Sequence, residues 1–161
     1  MAGKKDERPG KTPAASGGDG YEAAYGFLEA GKMAEAEVIL RKVLTSDPDD
    51  AGALHLLGGI ALGSGRIAAA EELVRKAIRF SPRTPEYHDN LGAVLLRQGK
   101  AEEAIATFRT AIELDPGAAM IHNNLGDAFM ELGRPDEAVT SFQRALALKP
   151  DYPEVHLNLG N

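Results

Sequence analysis

Apolar and polar positions along this chain recur at a long, fixed interval. Leu-Gly pairs stand at 57–58, 91–92, 125–126 and 159–160, always 34 residues apart. Single alanines keep the same interval at Ala36, Ala70, Ala104 and Ala138, glycines at Gly31, Gly65, Gly99 and Gly133, and prolines at Pro48, Pro82, Pro116 and Pro150. Each interval holds two helical stretches separated by its glycine and closed by its proline. In the third interval the pattern predicts helix A over 85–97 and helix B over 101–114. Gly99 between them suits the left-handed end of helix A, and Pro116 cannot continue helix B. A fixed period of this length marks a stacked helical array.

The residue types fit that packing. Glycine inside a helix costs roughly 1 kcal/mol against alanine, so Gly58, Gly92 and Gly126 need a reason. With no Cβ, they let a partner helix come close. Ala104, Ala138 and their equivalents make the matching surface, and Leu40, Val74, Phe108 and Phe142 fill the remaining space. Acidic pairs open the B helices at Glu102-Glu103 and Asp136-Glu137, while Arg41-Lys42, Arg75-Lys76 and Arg79 stand nearer their ends, both placements complementing the helix dipole.

These residues resemble the tetratricopeptide repeat (TPR) pattern: a large residue at position 4, Leu-Gly at 7–8, an aromatic at 11, Ala at 20, an aromatic at 24, Ala at 27 and Pro at 32. The fourth unit supplies His122, Leu125, Gly126, Phe129, Ala138, Phe142, Ala145 and Pro150. The third supplies His88, Leu91, Gly92, Leu95, Ala104, Phe108, Ala111 and Pro116. The first unit departs from the pattern, with Ala23 and Ala24 where Leu-Gly belongs. The resemblance implies an all-α fold, a right-handed α-solenoid of antiparallel helix pairs. Its four 34-residue units fall at about 17–50, 51–84, 85–118 and 119–152, with a partial fifth at 153–161. Residues 20–161 form the array, and residues 1–19, rich in Gly, Pro, Ser and charge, read as a disordered leader.

Composition narrows the function. The 161-residue chain has no cysteine, which excludes disulfides and thiolate metal sites. Its net charge is −6, and Lys4, Lys5, Arg8 and Lys11 lie in the leader, so the acidic excess belongs to the array. Nucleic acid and anionic membranes require a basic patch, and neither is expected as a partner. No apolar run suits a signal peptide or a membrane span, and a cytoplasmic location is expected.

At about 100° per residue, positions 4, 7, 8 and 11 of helix A share one face, and positions 2, 5, 6, 9 and 13 lie opposite. The opposite face contains His55 in the second unit and Asp89, Asn90 and Arg97 in the third. It contains Asn123, Asn124 and Asp127 in the fourth and Asn158 in the fifth. In the TPR family this side lines a concave groove that binds ligands. His88, His122 and His156 occupy position 4, which faces the core. Adjacent repeats lie about 10 Å apart, too far for one metal ion to bind two of these rings. They are read as packing residues, and no metal or cofactor is expected.

Asn90, Asn124 and Asn158 all fall at position 6. Asparagine is a poor helix former, so three in register invite an explanation. A primary amide both donates and accepts, and a step of about 10 Å matches about three residues of extended chain. The series resembles the asparagine ladder of O-linked N-acetylglucosamine transferases, whose rungs hold protein substrates. Here Leu56 and Glu22 break it in the second and first units. Either the amides grip a peptide backbone, or they bond only between repeats. On the first reading, replacing Asn90 and Asn124 with alanine leaves folding intact. The clamp of basic residues that other TPR domains turn toward acidic chaperone tails is missing, since Arg97 stands alone among acidic neighbours.

No catalytic constellation survives the repeat assignment, and the GGDG at 17–20 has no strand around it. The sequence therefore describes a non-enzymatic module that binds an extended protein or peptide segment, neutral or basic in character, in its groove. Two alternatives remain: the substrate-recruiting N-terminal arm of a larger, glycosyltransferase-like enzyme, and a self-assembling scaffold. Helix A of the fifth unit lacks its B partner, which predicts partly uncovered Val155 and Leu159 and weak dimerisation through that end.

Overall fold

Helices in a computed structural model, which describes residues 16–160, follow the predicted punctuation closely. They are α1 (Ser16–Glu29), α2 (Met33–Ser46), α3 (Ala51–Gly63), α4 (Ile67–Phe80), α5 (Pro85–Arg97), α6 (Ala101–Leu114), α7 (Ala119–Glu131), α8 (Pro135–Leu148) and α9 (Pro153–Leu159). No strand occurs among the described residues. The expected helices at 85–97 and 101–114 are α5 and α6. Residues 1–15 of the expected leader lie outside the described residues. Its last four belong to α1, because residue 17 opens the first unit and GGDG fills the first turns of an A helix. Position 4 there is Gly20, where a Cβ would stand 3.1 Å from Val43.

The first four A helices end in the same way. Gly99 has φ +73°, its N–H donates to the Leu96 carbonyl (2.8 Å), and the Lys100 N–H reaches back to the Leu95 carbonyl (2.9 Å). This pair of bonds satisfies carbonyls that the helix end would otherwise orphan. The chain then reverses into a B helix. Helices α1 and α2, α3 and α4, α5 and α6, and α7 and α8 pack pairwise, and each B helix meets the A helix of the next unit.

The apolar interior runs along the stack. One group joins Ala24, Ala36, Leu40, Leu57 and Ile60 in the first two units. A larger one joins Val74, Leu91, Leu95, Phe108, Ile121, Phe129, Phe142 and Val155 from the second unit to α9. Ala61, Ala70 and Val94 lie between them. Val155 is fully buried, which corrects the expectation that it would be partly uncovered: α9 lays it into the interior of the fourth unit. Leu159 is half-buried and Leu157 is exposed.

Polar ties reinforce the first two junctions. The Arg66 guanidinium at the start of α4 donates to Glu37 on α2 (2.6 Å), and Arg41 joins from one turn further along α2. These two cations hold the Glu37 pKa down at about 2. At the next junction Gln98 donates to Glu71 (2.7 Å). The equivalent of Glu37 and Glu71 in the third unit is the buried Ile105. Arg41, Arg75 and Lys76 pair with glutamates one turn earlier. Of the basic residues expected near B-helix ends, Arg79 stands in a last turn.

Candidate functional site

Successive A helices touch one another, α3 with α5 and α5 with α7, whereas successive B helices make no comparable contact. The A helices therefore line the inner, tighter side of the stack. Position 4 and positions 5–6 of each A helix serve different purposes there.

Position 4 fastens the third, fourth and fifth units to the turn before each. The His88 Nε2–H donates to the Pro82 carbonyl (2.8 Å), His122 to Pro116 (3.2 Å) and His156 to Pro150 (2.9 Å). A proline carbonyl can only accept, so Nε2 carries the proton in each ring. The histidines thus close the interhelical turn as well as pack. The recurrent six-residue spacing from proline to histidine is the signal in the sequence that could have found this bond.

Positions 5 and 6 form the seams between neighbouring A helices. Asn124 at position 6 donates its Nδ2–H to Asp89 at position 5 of the preceding unit (2.8 Å). One unit on, Asn158 donates to Asn123 (3.3 Å) and to Asp127 (3.0 Å), and Asn123 donates to Asp127 (3.4 Å). The structure thus brings Asp89 together with Asn124, and Asn123 together with Asp127 and Asn158. It buries Asp89 and Asn123, although both were expected on the open face. Position 5 points toward the next A helix rather than outward. Burial raises the pKa of Asp89 against the lowering effect of the Asn124 bond, and Glu86 adds to the rise. Burial and Glu131 raise that of Asp127. Among the described residues, neither carboxylate has a lysine or arginine partner.

The remaining predicted residues stand apart. Arg97 is exposed in the last turn of α5. Asn90 is half-buried near Gly59. His55, at position 5 of the second unit, packs its ring on Tyr87 with centroids 4.6 Å apart, and burial lowers its pKa. Sequence reasoning missed Tyr21 and Tyr25 of the first unit and Tyr87 of the third. The signal for the first two was their place at positions 5 and 9 of helix A, on the face opposite the core; Tyr87, at position 3, had none.

The seam changes what an asparagine substitution does. Asn124→Ala leaves the buried Asp89 carboxylate without its donor, so it is expected to cost about 1.5–3 kcal/mol, the range for bonds to charged groups. Asn90→Ala removes no hydrogen bond between described residues and gains helix propensity, so it is expected to be neutral or slightly stabilising. Urea denaturation of the two single variants checks this, and equal midpoints would show that the seam bond carries no energy.

A separate hollow of about 460 Å³ opens between α4, α5 and α6, with Ile78, Leu91 and Ala106 in its walls and Arg75 and Arg79 beside them. It contains none of the predicted groove residues. No group of three or more His, Asp or Glu side chains suited to a metal ion occurs among the described residues. Nor is any described helix long and apolar enough to cross a membrane.

Comparison with known proteins agrees with this architecture. Tetratricopeptide repeat models match residues 27–93 and residues 90–153. Among solved structures the chain is similar to pilF of Pseudomonas aeruginosa, at 29% identity over 87% of this chain and 64% of that one, with a TM-score of 0.80. It is also similar to a mutant O-GlcNAc transferase of Thermobaculum terrenum, at 29% identity over 83% of this chain and 26% of that one, with a TM-score of 0.79. YrrB, a TPR protein with an unusual peptide-binding site, shares the fold at 20% identity over 88% of this chain and 72% of that one, with a TM-score of 0.73. No curated protein matches the sequence. The repeat period, the helix pairs and both family models together place this chain in the tetratricopeptide repeat family.

Proposed function

We propose that this chain is a protein-interaction module that holds an extended segment of a partner protein, neutral or basic in character, along its A-helix face. The observation that carries this reading is the pair of seam carboxylates: the half-buried Asp127, which a partner's side chain can reach, and the buried Asp89, which adds negative potential to the same face. They are held by asparagine amides and unmatched by any cation among the described residues. A carboxylate drawn out of water without a counter-charge is costly, and a cationic side chain of a partner would answer it. Asn90 and Asn124 add backbone-binding capacity. The Asn124 amide spends one N–H on Asp89 and keeps a carbonyl oxygen and a second N–H.

A second reading makes the same groove the substrate-recruiting arm of a larger transferase. The 29% identity to the O-GlcNAc transferase favours it, and the chain spans 26% of that protein. Both readings predict the same binding chemistry. Calorimetric titration with hexalysine and hexaglutamate is expected to show binding of the first, weakening with added salt, and none of the second. Binding of hexaglutamate alone would contradict the proposal.

A further inference from the structure

The N-terminal end of the A-helix face is built from different side chains than the seams further along. Position 5 carries Tyr21 in the first unit and His55 in the second, where the next two units carry Asp89 and Asn123. The Tyr21 hydroxyl donates to the Asp50 carboxylate. Tyr25, one helical turn beyond Tyr21, is 51% exposed. Tyr87 lies against His55 with an interplanar angle of 31°. Burial raises the Tyr87 pKa, and the fields of Asp50, Glu86 and Tyr25 add to the rise.

Carboxylates rim these rings. Glu22 and Glu86 are exposed, and Glu86 lies close enough to His55 to influence its charge. Among the described residues no lysine or arginine pairs with Glu22, Asp50 or Glu86. Burial lowers the His55 pKa against the raising effect of Glu86, which disfavours a competing charge there.

Aromatic faces attract cations through the ring quadrupole. Of the two basic side chains, arginine fits such a place better: its guanidinium is planar, weakly hydrated and stacks on rings, whereas the lysine ammonium is a compact, strongly hydrated charge. We infer that this end of the groove is an arginine subsite, where a guanidinium of the bound segment stacks against Tyr25 and Tyr87 and meets the Glu86 carboxylate. The inference rests on the groove-binding reading above and adds to it a preference between cations and a fixed end for the arginine.

The two ideas fail separately in one experiment. The whole chain is titrated with hexaarginine and with hexalysine at the same ionic strength. Hexaarginine is expected to bind tighter, by up to about 2–5-fold, the whole worth of a cation on an exposed ring. Tyr25→Ser is expected to lower that preference to what Tyr87 alone supplies, and Tyr25→Phe, which keeps the ring, to retain it. Equal affinity of the two peptides for the unmodified chain would overturn the subsite and leave the groove reading standing, as would a preference undiminished by Tyr25→Ser. Failure of both peptides to bind would overturn the groove reading itself.

Discussion

Gly126→Ala is expected to destabilise the array by about 1–3 kcal/mol, the usual cost of overpacking a filled interior. At an open helical position the same change would gain roughly 1 kcal/mol. The difference lies in Phe142, which is 1% exposed. A Cβ on Gly126 would stand 2.4 Å from its ring, and Gly92 faces Phe108 at the same distance. The ring is enclosed and cannot swing into solvent. The chain carries its own solution in the first unit, where Ala24 and Leu40 share the interior in place of glycine and phenylalanine. Gly126→Ala combined with Phe142→Leu is therefore expected to recover most of the loss. Gly59→Ala, where a new Cβ would meet nothing nearer than the Asn90 amide at 3.8 Å, is expected to raise stability. Urea midpoints of the three variants check the ordering. A Gly126→Ala midpoint equal to or above that of the unmodified chain would show that the close approach is not needed.

Asp89→Asn is expected to move stability and binding in opposite directions. The amide oxygen still accepts the Asn124 bond, as Asn123 does for Asn158 one unit on. The substitution removes a buried charge, so the variant is expected to be more stable at pH 7. The pH dependence fixes the sign. Burial raises the folded pKa of Asp89 above its ordinary 3.8, so the ionised group destabilises the fold fully above the raised pKa. The penalty fades as pH falls toward 3.8, and the advantage of the variant should fade with it. Glu37 acts oppositely. Its pKa is lowered from 4.5 to about 2, so its stabilisation is complete above 4.5 and is lost as pH falls toward 2. In binding, Asp89→Asn together with Asp127→Asn is expected to weaken hexalysine affinity by about fivefold or more, at about 1 kcal/mol for the half-buried Asp127 in contact with a cation near water, the buried Asp89 acting through its field alone. Undiminished affinity in the double variant would remove these carboxylates from the site.

The architecture was legible because glycine and proline punctuate the backbone directly. Gly99 and Pro116 bracket α6 whatever surrounds them, and the Gly-Phe and Ala-Leu pairs show the interior through complementary volume. The face was less legible. The helical wheel separates core from solvent on one helix, but Asp89 and Asn123 face neither. They meet a neighbouring A helix, and the spacing between units decides that contact. The asparagines were found by register, and the partners of Asn124 and Asn158 lie in the preceding unit at positions the wheel had opened to solvent. The tyrosines were missed because Tyr21, Tyr25 and Tyr87 occupy three different positions and leave no period to detect.

On the function proposed above, a partner segment lies along the A-helix face. Amide chemical-shift mapping of the isotope-labelled chain during titration with hexalysine tests this. Shifts are expected to cluster at Asp89, Asn90, Asn124, Asp127 and Asn158, with the hollow beside Ile78, Ala106 and Thr110 undisturbed. Shifts confined to that hollow, with the asparagine amides unmoved, would contradict it.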